Sequence, residues 1–312
     1  MNMSLNWINF AAFVVLIGLL SIASTIIYCN KKNMTSANYV ELTQRMHTWW
    51  IIVVLLILAL SINVTVMILF FMLISYLALK EYFTMIPTRR VDRRIIFIAY
   101  LCIPLQYLWV YLHWYGMFVI FIPIYLFLFI PMRMVMLKKT EGFLRATGTI
   151  HWGIMLTVYC LSHIAYLGVL PSGSNWRNDG ISLTIFLIFL TQFNDVSQYV
   201  FGKLWGHKKI IPSISPNKTV VGFLGGLFST TLLAILISPF LTPCSWLNAA
   251  GAGLLISVTG FAGDLTISAV KRDLGIKDTG QLLPGHGRIL DRLDSIIFTA
   301  PLFFHYIRYL YY

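Results

Sequence analysis

Apolar residues come in unbroken runs of roughly twenty, each long enough to cross a bilayer as one helix, and short polar stretches separate them along the 312 residues. Runs near 7–28, 95–111, 116–132, 150–170, 181–200, 220–241, 247–270 and 295–311 predict eight such helices. The stretch 49–79 is too long for one comfortable span. Lys31, Lys32 and Arg45 precede it and Lys80, Arg89, Arg90, Arg93 and Arg94 follow it, and basic flanks favour the cytoplasmic side at both ends. A hairpin of two short helices, broken near the Ser-Ile-Asn-Val-Thr of 61–65, satisfies this. The expectation is an all-α, polytopic integral membrane protein with nine or ten transmembrane helices and, with ten, both termini outside. No basic residue precedes the first run, which is long enough to span, so it reads as a retained helix and not a cleaved signal peptide.

Composition agrees with the pattern. At 58% hydrophobic residues and a mean hydropathy of +0.79, a water-soluble fold would expose more apolar surface than soluble monomers tolerate. The net charge of +12 is mostly topology, because the ten-helix arrangement puts 21 of the 23 Lys and Arg on the cytoplasmic side and leaves only Arg177 and Arg308 opposite. Scattered through short loops, these charges do not form a folded basic domain, and no nucleic-acid partner is expected. Cys29, Cys102, Cys160 and Cys244 sit singly, giving neither a disulfide framework nor a metal knuckle.

Acidic residues are distributed differently: six of eleven, Asp195, Asp264, Asp273, Asp278, Asp291 and Asp294, fall in one C-terminal stretch. With no internal repeat or soluble domain, residues 1–180 read as a transmembrane scaffold. Residues 181–312 read as the catalytic module, with a charged cytoplasmic loop at 271–294. Three constellations stand out there. Asp195, Tyr199 and Gly202 share a helix face at i, i+4 and i+7; an aspartate at this depth needs a cation or water, although a solvated interfacial carboxylate is an alternative. After it, Ser215-Pro-Asn-Lys218 opens a helix whose free N–H groups suit an anion, but it is also an ordinary helix start. Asp264, Ser268 and Lys271 lie on one face of the next helix, with Lys271 or a bound cation as the expected partner of Asp264, or a purely structural Asp–Lys pair. Last, Gly285-His286-Gly287 offers backbone for close approach to a ligand, and Asp291 and Asp294 follow at i and i+3. Paired carboxylates with nearby Lys and Arg suit a divalent metal carrying a polyphosphate; a solvated loop remains the plain alternative.

The stretch Ser268 to Asp294 resembles the signature of phosphatidate cytidylyltransferases (CDP-diacylglycerol synthases). Ser268, Lys271, Arg272, Lys277, Asp278, His286, Gly287, Asp291, Arg292 and Asp294 fall in step with it. Asp195, Tyr199, Gly202 and Lys203, then Ser215, Pro216, Lys218, Thr219, Gly222 and Gly263-Asp264 extend the likeness over about residues 190–312. Arg288 departs from it, standing where the family has a second glycine; its guanidinium either adds a phosphate contact or obstructs a close backbone approach.

The resemblance implies transfer of a cytidylyl group from CTP to phosphatidate, using Mg²⁺ and a monovalent cation such as K⁺. It makes Asp264 and Asp291 the leading metal ligands, with Asp294 and Asp195 as second candidates. Lys218, Lys271, Arg272 and Lys277 become candidates for the triphosphate and the lipid phosphate. Asp278 and His286 orient the loop, Ser268 joins the catalytic set, and Asp195, Lys203, Arg288 and Arg292 are substrate-binding candidates. The expected partners are CTP, phosphatidate and membrane lipid, with a homodimer left open. The expected location is a bacterial inner (cytoplasmic) membrane, with the site facing the cytoplasm. A CTP-dependent lipid-alcohol kinase and a transporter for an anionic substrate are the alternatives.

Overall fold

The computed structural model describes residues 7–33, 36–89, 92–136, 138–171, 180–275 and 289–312. Among them the chain is mostly helical, with short turns and loops and one isolated antiparallel bridge. The first four helices are α1 (Trp7–Cys29), α2 (Ser36–Ile62), α3 (Val64–Met85) and α4 (Arg93–Tyr111). The fifth rod joins α5 (Tyr115–Ile120) to α6 (Phe127–Val135) through a π-helical turn, and the sixth joins α7 (Phe143–Ile154) to α8 (Leu161–Gly168) through another. Then come α9 (Gly180–Trp205), α10 (Val220–Leu241), α11 (Trp246–Asp273) and α12 (Leu290–Tyr311). Nine of these ten rods are long and apolar enough to cross a membrane by length and composition. The tenth, α12, begins with Asp291, Arg292 and Asp294 and continues as 295–311, the last predicted run.

The hairpin breaks at the expected place. Asn63 caps α3 in extended backbone, its side chain accepting from Val66 N, which is favourable for an asparagine that leaves four N–H groups to satisfy. The two helices are not short, however: α2 has 27 residues and α3 has 22. The polar turns Ser36 to Thr48 contain Glu41, Leu42, Gln44, Arg45 and Met46, good helix formers, so the helix runs well beyond the apolar stretch. The same correction applies to α7, which starts at Phe143 and not at 150.

Small residues let the last four helices approach closely, as is usual where lipid and protein interior are equally apolar. Gly226 lies under the Gln198 side chain, and Gly253 against Thr231 and Ala234. The aromatic core, with Phe118, Phe186, Phe303 and Phe304 fully buried, ties these helices to the earlier ones. Asn9 of α1 accepts from Ser182 Oγ of α9 at 2.7 Å, and Tyr166 of α8 packs on Phe304. Pro123, inside the first π turn, offers no N–H to the carbonyl of Phe118 five residues earlier. Gln106 Nε2 of α4 donates to that carbonyl at 3.1 Å and to Ser162 Oγ at 3.3 Å.

Candidate active site

The first component is the end of α9. Asn194 is buried, and its Oδ1 accepts from Ser257 Oγ of α11 at 2.8 Å and from Thr230 Oγ1 of α10 at 3.3 Å. One amide thus fixes three helices. Its neighbour Asp195 accepts from Ser295 Oγ of α12 at 3.0 Å, and one turn on, buried Gln198 offers Oε1 to Lys218 Nζ at 3.3 Å. Asp195, Tyr199 and Gly202 diverge by contrast. Tyr199 is exposed, Gly202 packs against Thr219 and Gly222, and Lys203 lies 5.8 Å from the Tyr199 ring. Lys203 is therefore outside the cluster, because it lies eight residues beyond Asp195, about 12 Å further along the axis of α9, and is exposed beside Tyr199.

Residues 206–219 fold back on themselves. Ile210 N donates to Lys218 O and Val220 N to Lys208 O, forming the isolated bridge. Thr219 then caps α10 by accepting from Gly222 N at 3.1 Å, which satisfies an orphan amide of that helix. Arg272 Nε pins the same loop by donating to Ile214 O at 3.2 Å. Held at both edges, the loop delivers Lys218 to Asp264 of α11, Nζ to Oδ2 at 2.5 Å.

Asp264 sits nine residues before the end of α11, about 13 Å inward at 1.5 Å per residue. Ser268 Oγ donates to its other oxygen at 3.3 Å. Lys271 does not pair with Asp264. It crosses to α12 and meets Asp291 Oδ1 at 2.8 Å, because two helical turns separate positions 264 and 271, whereas the start of α12 lies alongside. Gly263 allows that proximity: a Cβ there would collide with the carbonyl oxygen of Asp294. Asp294 accepts from Ser295 N at 2.7 Å and lies within electrostatic reach of Asp264, Asp195 and Asp291. Arg292 lies close to Asp294 and Asp291. Lys277, Asp278, His286 and Arg288 lie outside the described residues.

Asp195, Asp264, Asp291, Asp294, Lys218 and Lys271, spread over 100 positions of sequence, thus meet at one end of the α9–α12 bundle. Among the described residues neither Asp195 nor Asp294 has a lysine or arginine within ion-pair distance. Carboxylates at membrane depth without such a partner suit a hard divalent cation such as Mg²⁺. As the side chains stand, no three acidic groups among the described residues gather tightly enough to hold one ion, and lysines occupy Asp264 and Asp291. Exchanging those lysines for phosphate oxygens would release the carboxylates. A separate cavity of about 940 Å³ lies on the opposite face of α11, lined by Val270 and Asp273 together with Arg89, Lys139, Arg145 and Trp152. Its charges are mixed, and it takes no residue from the acidic cluster.

Asn194, Gln198 and Ser295 were not among the candidates read from the sequence. All are uncharged, and their signal, a polar residue within an apolar run, is shared by many helix-packing serines and threonines.

The family model described as the cytidylyltransferase family matches residues 43–310. The chain is 44% identical over 269 residues to the Escherichia coli (strain K12) protein "Uncharacterized protein YnbB", covering 86% of this chain and 88% of that protein. It is 39% identical over 154 residues to the phosphatidate cytidylyltransferase of Staphylococcus aureus (strain COL), which is 48% of this chain and 59% of that enzyme. The Staphylococcus epidermidis enzyme of the same name is 38% identical over the same length.

Proposed function

The chain belongs to the cytidylyltransferase family, and from that premise we propose that it transfers the cytidylyl group of CTP to phosphatidate, releasing pyrophosphate and leaving CDP-diacylglycerol in the membrane. The observation that carries this reading is the alternation of carboxylates and lysines at one end of α9–α12, where Lys218 and Lys271 are each held by a single aspartate.

The phosphate monoester of phosphatidate is largely dianionic near neutral pH. It attacks the α-phosphorus of CTP without a strong general base, the bond to the β-phosphate oxygen breaks, and pyrophosphate leaves with the electron pair. Positioning and charge neutralisation therefore do most of the work. Lys218 and Lys271 turn from their aspartates to phosphate oxygens, Lys218 remaining on the Gln198 carbonyl side, while Arg272 and Arg292 add cationic field. Ser268 and Ser295 keep Asp264 and Asp195 oriented as the lysines leave. Mg²⁺ held by Asp264, Asp291 and Asp294, with K⁺ alongside, would supply neutralisation of the triphosphate. The basic loops at this end of the bundle support a site facing the cytoplasm from a bacterial inner membrane, where CTP is available.

Purified protein given labelled CTP, phosphatidate and Mg²⁺ is expected to yield CDP-diacylglycerol and pyrophosphate. Formation of CDP and a phosphorylated lipid alcohol from a lipid-alcohol substrate, with none of the nucleotide entering lipid, would overturn the reading in favour of γ-phosphate transfer.

A further inference from the structure

Helix α12 presents Asp291 and Asp294 within its first two turns, yet its N-cap residue does not cap it. The residue before the helix is Ile289, whose side chain makes no capping hydrogen bond. The acceptor comes from α3. Glu81 is buried, with 4% of its surface exposed; its Oε2 accepts from Ile289 N at 2.7 Å and its Oε1 from Leu290 N at 3.4 Å. Two of the amides that a helix start leaves unsatisfied are thereby met by one carboxylate from 208 and 209 positions earlier. A negative group at this end also complements the helix dipole. Glu81 is itself held firmly, since Tyr82 beside it donates from its hydroxyl to Thr149 O of α7 at 2.8 Å and packs its ring on Gly153.

We propose that Glu81 is a positioning residue, which caps α12 from the scaffold and so sets Asp291 and Asp294 against Asp264. For its catalytic consequence the proposal rests on the cytidylyl-transfer reading above. Glu81 need touch neither nucleotide nor lipid to act: a loosened first turn would displace the carboxylates two and five residues beyond the cap.

The test uses the full chain in detergent or liposomes, with Glu81→Gln and Glu81→Asp. Glutamine keeps the shape but can offer only one accepting oxygen, so one of the two amides faces an N–H group instead. In Glu81→Gln, hydrogen exchange of the peptide spanning 289–296 is expected to speed up about fivefold to tenfold, as for loss of one hydrogen bond, while peptides from α9 and α10 are unchanged. Turnover is expected to fall about 10- to 100-fold with a higher Mg²⁺ requirement, the range typical when a partner that orients metal ligands is lost. The KM for phosphatidate should stay within about twofold, and Glu81→Asp should recover part of the turnover. Unchanged exchange at 289–296 would overturn the proposal, as would faster exchange with wild-type turnover and Mg²⁺ requirement. A turnover loss that merely parallels a lowered unfolding temperature would also overturn it. If the wild-type protein makes no CDP-diacylglycerol, the functional reading falls alone, and the exchange measurement still decides whether Glu81 holds α12.

Discussion

Replacing Gly263 by alanine asks whether the crossing of α11 and α12 sets the site, over and above the carboxylates themselves. The added Cβ would collide with the carbonyl oxygen of Asp294 and would also stand 3.2 Å from Phe298 Cβ. Because the first obstacle is main chain, no side-chain rotation clears it, and in a close-packed interior the two helices must separate. Overpacking of this kind costs about 1–3 kcal/mol. The same separation moves Asp294 and Asp291 away from Asp264, and a displacement of roughly 1 Å between reacting partners lowers turnover by about 10²-fold. The assay pairs the unfolding temperature in detergent with the rate of CDP-diacylglycerol formation at saturating CTP and phosphatidate. Gly18→Ala is the control, since nothing lies within 4 Å of a Cβ there, and it should leave turnover unchanged. Wild-type stability together with wild-type turnover in Gly263→Ala would refute the reasoning, because α11 and α12 would then have slack where the structure shows contact.

Three further outcomes are expected. Asp264→Asn keeps shape but leaves Lys218 opposite a neutral amide, and turnover should drop on the order of 10³-fold while the protein still inserts; near-normal turnover would remove Asp264 from the reacting centre. Lys271→Met should raise the KM for CTP, with loss of a charge-assisted contact costing about 1.5–3 kcal/mol; unchanged KM values for both substrates would mean that Lys271 serves Asp291 alone. In a background lacking the exposed thiol of Cys29, a cysteine at Asn63 should label from the side opposite to cysteines at Thr88 and Thr140, and labelling of all three from one side would break the ten-rod topology.

The sequence disclosed the architecture because run length and flanking charge are local quantities. The break at Asn63 is legible from an overlong apolar run with basic residues at both ends, and the structure places the cap on that asparagine. Helix ends were less legible: the polar turns of α2 and the start of α7 continue helices that hydropathy alone would stop. Within the site, positions on one helix were readable from periodicity, and Ser268 indeed bonds to Asp264. Partners on different helices were not readable. Lys271 and Asp264 share a face of α11, yet each finds its counter-charge elsewhere, on α12 and on the loop before α10. Glu81 escaped notice because a Lys-Glu pair closing an apolar run reads as an ordinary interfacial end. Its burial depends on how α12 docks, which no local pattern records.

The cap on α12 also puts a clock on assembly. Glu81 and the amide it accepts from are 208 residues apart; at about 5–20 residues per second, translation separates them by roughly 10–40 s. During that interval the earlier helices can insert and pack while the acidic start of α12 does not yet exist. A ribosome arrested before residue 289 would therefore leave a membrane-inserted bundle of earlier helices but no finished reaction centre, so competence for chemistry would arrive late and in a single step. Pulse-labelled chains should gain protease resistance in their earlier segments well before they gain the ability to turn over nucleotide.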